Sequence, residues 1–156
     1  MAATTSLALC HKLKYMKTIQ TEIIINASAA RVWQVLTNFE KHSTWNPFIL
    51  SLSGKPQVGE TLRVELKNGK GTSVFTPKVL VAEPNTAFEW LGKLPLGMFN
   101  GQHFFRIEEI SATQVKFIHG ENFSGWLAGL LLSQIGEQTQ QSFIAMNKAL
   151  KQQAEA

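Results

Sequence analysis

The strongest restriction on the fold is a block of six β-prone runs, each closed by turn chemistry, lying between two segments of helical periodicity. The runs are Phe48–Ser53, Thr61–Lys67, Thr72–Ala82, Thr86–Gly92, Gly101–Ile110 and Thr113–Asn122. Gly54-Lys55-Pro56-Gln57-Val58-Gly59, Asn68-Gly69-Lys70-Gly71, Glu83-Pro84-Asn85 and Ser111-Ala112 separate them, together with the apolar stretch 93–100. Connections this short join antiparallel neighbours, because a parallel pair needs a long crossover. Asn68-Gly69 is the strongest hairpin signal and predicts a type I′ turn, with positive φ at both central residues.

The flanks supply the rest. Lys17–Ile25 reads as a further strand, with Ile19, Thr21, Ile23 and Ile25 on one face. Ser28 is a helix N-cap, and Val32, Val35, Leu36 and Phe39 then recur at helical spacing from Ala29 to Phe39. His42–Phe48 is a short irregular or helical piece that Pro47 ends, since a residue before proline avoids the helical region. Gly125–Gln153 contains no proline and sets Ile135, Thr139, Ser142, Phe143, Met146, Ala149 and Leu150 along one helical face, with Gly136 as a weak point. The order predicts one α+β domain over 17–156: seven antiparallel strands, two short helices after the first strand, and a long C-terminal helix.

Composition excludes several function classes. At 156 residues and 44% apolar, the chain can bury a core without metal or disulfide staples. Cys10 is the single cysteine, so neither an internal disulfide nor a Cys-rich zinc site can form. Aspartate is absent and all 11 acidic residues are Glu, which removes Asp dyads and Asp-anchored triads. Lys12, Lys14 and Lys17 carry three of the net +4 charges; from Thr18 onward 12 basic residues meet 11 acidic ones. No basic stripe remains to neutralise phosphates, so nucleic acid is not an expected partner. The longest apolar run, Trp126–Leu132, is far short of the ~20 residues that span a bilayer.

Leu7-Ala8-Leu9-Cys10 superficially resembles a lipoprotein cleavage box, but no Lys or Arg precedes it and Leu9 is too bulky for the cut. Residues 1–16 are expected to be a mobile extension of a cytoplasmic protein. Ser124 lacks the G-x-S-x-G setting of a hydrolase nucleophile, and neither G-x-G-x-x-G nor a Walker A sequence is present.

Five segments carry a resemblance. They are Arg31-Val32-Trp33-Gln34-Val35-Leu36-Thr37, Trp45-Asn46-Pro47-Phe48, Gly101-Gln102-His103-Phe104-Phe105-Arg106-Ile107, Glu121-Asn122-Phe123-Ser124-Gly125, and Phe143-Ile144-Ala145-Met146-Asn147-Lys148-Ala149-Leu150-Lys151. In this order the chain resembles the START-like (SRPBCC) superfamily, particularly its polyketide cyclase/dehydrase-type branch. The resemblance implies a helix-grip fold: a curved seven-stranded antiparallel sheet around the C-terminal helix, with an apolar cavity between them. Members include lipid and hormone binders, aromatase/cyclases and chaperone activators, so the fold does not choose a chemistry.

Alternation puts His103, Phe105 and Ile107 on one face of their strand and Val115, Phe117, His119 and Glu121 on one face of the next. If, as the resemblance implies, this face turns toward the cavity, His103, His119 and Glu121 share a wall. They then either orient a ligand or move protons as general acid and base, or are polar groups satisfied by one another and by backbone. A two-His-one-carboxylate metal site is a third reading, but His-x-Glu on a strand is a weak signature and no metal is assigned. Trp45 and Phe48 are a gate or a plug on the core. Trp33 packs between helix and sheet, and Arg31 and Arg106 are either solvated or salt-bridged surface groups or partners of a carboxylate-bearing ligand. The stretch 94–101, with Leu94, Leu96, Met98 and Phe99, is too apolar for a solvated turn and reads as a lid or a partner contact. Trp126, Leu127, Leu130 and Leu131 are expected in the core, with a second lid element or homodimer contact as the alternative.

The cavity candidates are thus Trp45, Phe48, Phe99, His103, Phe105, Phe117, His119, Glu121, Phe143 and Met146. The expected function is binding of a small hydrophobic molecule, lipid or polyketide-like, with no cofactor. The alternatives are a cyclase, dehydratase or hydrolase using the His/Glu cluster, and a protein-interaction module.

Overall fold

The computed structural model describes residues 17–156; the extension expected over 1–16 lies outside the described residues. Strand β1 (Lys17–Ile25) alternates as its sequence predicts, turning Ile19, Thr21, Ile23 and Ile25 inward. Helix α1 (Ala29–Thr37) begins where Ser28 Oγ accepts the Arg31 N–H at 3.2 Å, which satisfies one donor that a helix N-terminus leaves free. It buries Ala29, Val32, Val35 and Leu36. A 3₁₀ turn, Phe39–Lys41, leads into the single turn of α2 (His42–Trp45).

Asn46 organises the exit from α2. Its backbone is extended, as a residue before proline requires. Its buried Oδ1 accepts the N–H groups of Phe48 and Ile49, both at 2.9 Å. Its Nδ2 donates to His42 Nδ1 at 3.2 Å, while His42 Nε2 donates to the Leu36 carbonyl at 2.7 Å. One amide thereby ties the turn after Pro47 to the helical layer.

Strands β2 (Ile49–Ser53), β3 (Arg63–Asn68) and β4 (Gly71–Phe75) form an antiparallel sheet in the order β2-β3-β4. Strands β5 (Lys78–Glu83), β6 (Ala87–Lys93), β7 (Asn100–Ser111) and β8 (Gln114–Ser124) join β1 in the order β1-β8-β7-β6-β5. The fold is α+β and helix-grip, with eight strands in place of the expected seven. The run Thr72–Ala82 is divided at Thr76-Pro77, because Pro77 offers no N–H to a ladder. The two sheets meet at this break: Thr61 bridges to Lys78, and the Leu62 N–H donates to the Pro77 carbonyl at 2.9 Å.

The hairpin after β3 also differs from expectation. Asn68 pairs with Gly71, so the two-residue turn is Gly69-Lys70 rather than Asn68-Gly69. Positive φ occurs at Gly69 and not at Lys70, which is the requirement of a type II′ turn rather than I′.

Helix α3 (Ala128–Glu155) runs unbroken through Gly136 for 28 residues, about 42 Å at 1.5 Å per residue. Its C-terminal half carries Phe143, Met146, Leu150 and Ala154 into the core with Ile25, Leu36, Phe105 and Phe117. Trp33 meets Phe88 of β6 edge-on at 6.2 Å, between helix and sheet. Among the described residues no helix is long and apolar enough to cross a membrane.

The Asn46–His42 pair yields two predictions. Asn46→Ala leaves two buried N–H groups without an acceptor and should cost about 3 kcal/mol in urea denaturation. Burial pushes the His42 imidazole down to about 4, the bond to the Leu36 carbonyl opposing only part of that. The unfolded chain therefore binds more protons between about pH 6.5 and this value. The contribution from neutral, buried His42 is complete above the upper limit and fades as pH falls toward the lower one, a loss of about 3 kcal/mol. Denaturation at pH values above and below this window should show the fall, and His42→Gln should make it shallower.

Candidate functional site

The grip closes at one end of α3 and stays open at the other. The C-terminal half meets the sheet through large side chains, but the N-terminal half faces it with Leu131, Ile135, Thr139 and Ser142. Across from these lie Val64 and Leu66 of β3 and Phe75 of β4, and the short Thr and Ser side chains do not reach them. A cavity of about 320 Å³ remains. Its walls include Phe48, Phe75, Trp90, Phe99 and Phe123, and its polar groups include His103, Glu121, Lys67 and Lys93.

The innermost polar groups form a directed chain. His103 on β7 is the direct cross-strand partner of Glu121 on β8, and Phe105 is that of His119. A backbone carbonyl only accepts, so Thr21 Oγ1 donates to the His119 oxygen at 3.2 Å. The Thr21 oxygen then accepts Asn147 Nδ2 at 2.9 Å, which leaves Asn147 Oδ1 to accept from His119 Nδ1, also at 2.9 Å. Desolvation pushes the fully buried His119 well below its ordinary value, and the neighbouring His103 acts in the same direction. His119 is therefore neutral with a lone pair on Nε2, and His103 Nε2 donates to it at 2.7 Å. The other ring nitrogen of His103, Nδ1, lies 3.5 Å from Glu121 Oε2.

Not every cavity candidate reaches the cavity. Phe48, Phe99, His103 and Glu121 line it. Phe105, Phe117, Phe143 and Met146 are sealed in the core, and His119 reaches the cavity only through His103. Phe143 stacks on His119 at 4.1 Å and also touches His103 and Phe48, with ring centres 5.1 and 5.6 Å away. Trp45 lies elsewhere, in a smaller concavity beside Arg31 and Lys41. Arg31 donates to the Gln153 carbonyl at 3.0 Å, and Arg106 lies 3.4 Å from Glu89.

The stretch after β6 forms part of the cavity wall. Leu94 and Phe99 line the cavity, and the Leu127 N–H donates to the Met98 carbonyl at 2.9 Å, tying the loop to the start of α3. The placement of Trp126 and Leu130 in the core is overturned: they are 69% and 59% exposed, and Leu96 in the loop is 91% exposed. These side chains are left exposed, and no element among the described residues packs over them.

Asn147 is the functional-site residue that pattern reading passes over. It sits four residues after Phe143 and three before Leu150, an amide in the middle of an apolar stripe, and that interruption was its signal. Among the described residues no group of three or more His, Cys, Asp or Glu is arranged to hold a metal ion.

Solved structures with the same fold agree with this architecture. The Zhui aromatase/cyclase from Streptomyces sp. R1128 superposes with a TM-score of 0.71 at 12% identity, over 90% of this chain and 94% of that one. A START superfamily protein from Mycobacterium smegmatis gives 0.67 at 16% identity, over 86% and 97%. Norcoclaurine synthase from Thalictrum flavum, in complex with dopamine and hydroxybenzaldehyde, gives 0.68 at 14% identity, over 97% and 94%. No curated protein matches the sequence. The family described as polyketide cyclase / dehydrase and lipid transport matches residues 16–155, the whole of the helix-grip domain, and the chain belongs to that family.

Proposed function

We propose that this protein binds a small, flat, largely apolar molecule between the N-terminal half of α3 and the sheet. The observation that carries the reading is the cavity itself: about 320 Å³, walled by five aromatic rings, with the His103–Glu121 pair set in one wall. That volume is at the small end of the roughly 300–1,000 Å³ usual for small-molecule sites. Apolar walls reward burial at about 25 cal/mol per Å², and a few fixed polar groups set orientation. Two of the similar structures point the same way, one an aromatase/cyclase and one a synthase holding two aromatic compounds. A cyclase-type reaction is the second reading, favoured by the placement of an imidazole–carboxylate pair on the cavity wall.

The test is filling the cavity from the helix side. Thr139 faces the cavity without being part of the packed core, so Thr139→Phe should occupy the space while the cooperative unfolding transition is retained. The unmodified protein should take up ANS with a rise in fluorescence that an apolar competitor reverses, and the variant should lose most of that uptake. Equal uptake by both proteins would place the dye elsewhere and end the proposal.

A further inference from the structure

Glu121 has an oxygen that the polar chain does not use. Oε2 is the atom facing His103 Nδ1; Oε1 has no hydrogen-bond partner among the described residues. The side chain is 18% exposed and lies on the cavity wall. Oε1 is seated against Gly101 of β7, also on that wall, in space that a Cβ at position 101 would occupy. The strand is therefore notched to accept this carboxyl rotamer.

The order of donors along Thr21, Asn147, His119 and His103 decides what Oε1 can do. With a hydrogen on His103 Nε2, Nδ1 and the carboxyl together hold either one further proton or none; with none, Glu121 is a carboxylate and Oε1 accepts. If one is held and resides on His103, Glu121 is again a carboxylate and Oε1 accepts. If it resides on Oε2, that hydroxyl points to the Nδ1 lone pair and Oε1 is the carbonyl oxygen, which again accepts. Lys67 and Lys93, the other charged groups on the cavity wall, do not pair with Oε1. We propose that Glu121 Oε1 is an obligate hydrogen-bond acceptor inside the cavity, and that it selects ligands presenting a hydroxyl donor on an otherwise apolar, planar body.

This rests on the cavity-binding reading, and the experiment separates the two. Full-length protein is titrated with β-naphthol and with its methyl ether, which has the same ring system but no donor. The naphthol should bind at least about tenfold more tightly, the worth of a hydrogen bond to a charged or strongly polarised acceptor. Glu121→Leu should abolish the preference, so that naphthol and ether bind with the same affinity. Glu121→Gln should keep most of the preference, because its carbonyl still accepts while its amide donates to His103 Nδ1. Gly101→Ala, which displaces Oε1 without changing the carboxyl, should weaken it in a protein of unchanged fold. Equal binding of naphthol and ether by the unmodified protein overturns the acceptor assignment and leaves the cavity reading intact. So does a Gln variant that behaves like Leu. Binding of neither probe overturns both.

Discussion

The structure turns on one contact, Phe143 of α3 stacked against His119 of β8. It holds the long helix at a fixed height over β7 and β8, and it also meets Phe48 and His103. Below it, Met146, Leu150 and Ala154 are buried in the core between helix and sheet. Above it, Thr139 and Ser142 are too short to fill that space. The same ring thus ends the core and begins the cavity.

That contact also explains why two imidazoles can be buried together. A charged His119 would be buried away from water, and that desolvation cost keeps it neutral, against the pull of the Asn147 acceptor. Thr21 and Asn147 fix the tautomer, by placing an acceptor on Nδ1 and leaving Nε2 to accept. The chain is saturated up to His103 and unsaturated beyond it, which concentrates the chemical freedom of the whole network at one carboxyl on the cavity wall. A buried polar network with every inner member satisfied is rigid. Rigidity is what allows the last member to have a defined role.

Much of this arrangement was legible in the residues. Period-two alternation put His103 and Phe105 on one face and Phe117, His119 and Glu121 on the facing strand, and a short connection made those strands neighbours. Ser28, Pro47 and the Pro-free C-terminal segment marked the helices. Two errors share a cause. Thr72–Ala82 reads as one strand because propensity is continuous across Thr76, yet a ladder is a property of pairs and Pro77 cannot donate to one. The turn moved from Asn68-Gly69 to Gly69-Lys70 because register is chosen by the strands on both sides, not by the best turn dipeptide.

The site shows the same division. The amino-acid order by itself determined which side chains share a face, where helices start and stop, and that the C-terminal helix has an apolar stripe long enough to grip a sheet, because these depend on local geometry and on burial summed over a few turns. It could not show that the stripe is packed from Phe143 onward and unpacked before it, that Trp126 and Leu130 face solvent, or that Asn147 reaches across to Thr21. Those outcomes depend on distances between segments far apart in the chain, 126 residues in the case of Asn147 and Thr21, and a gap between two surfaces belongs to neither of them alone.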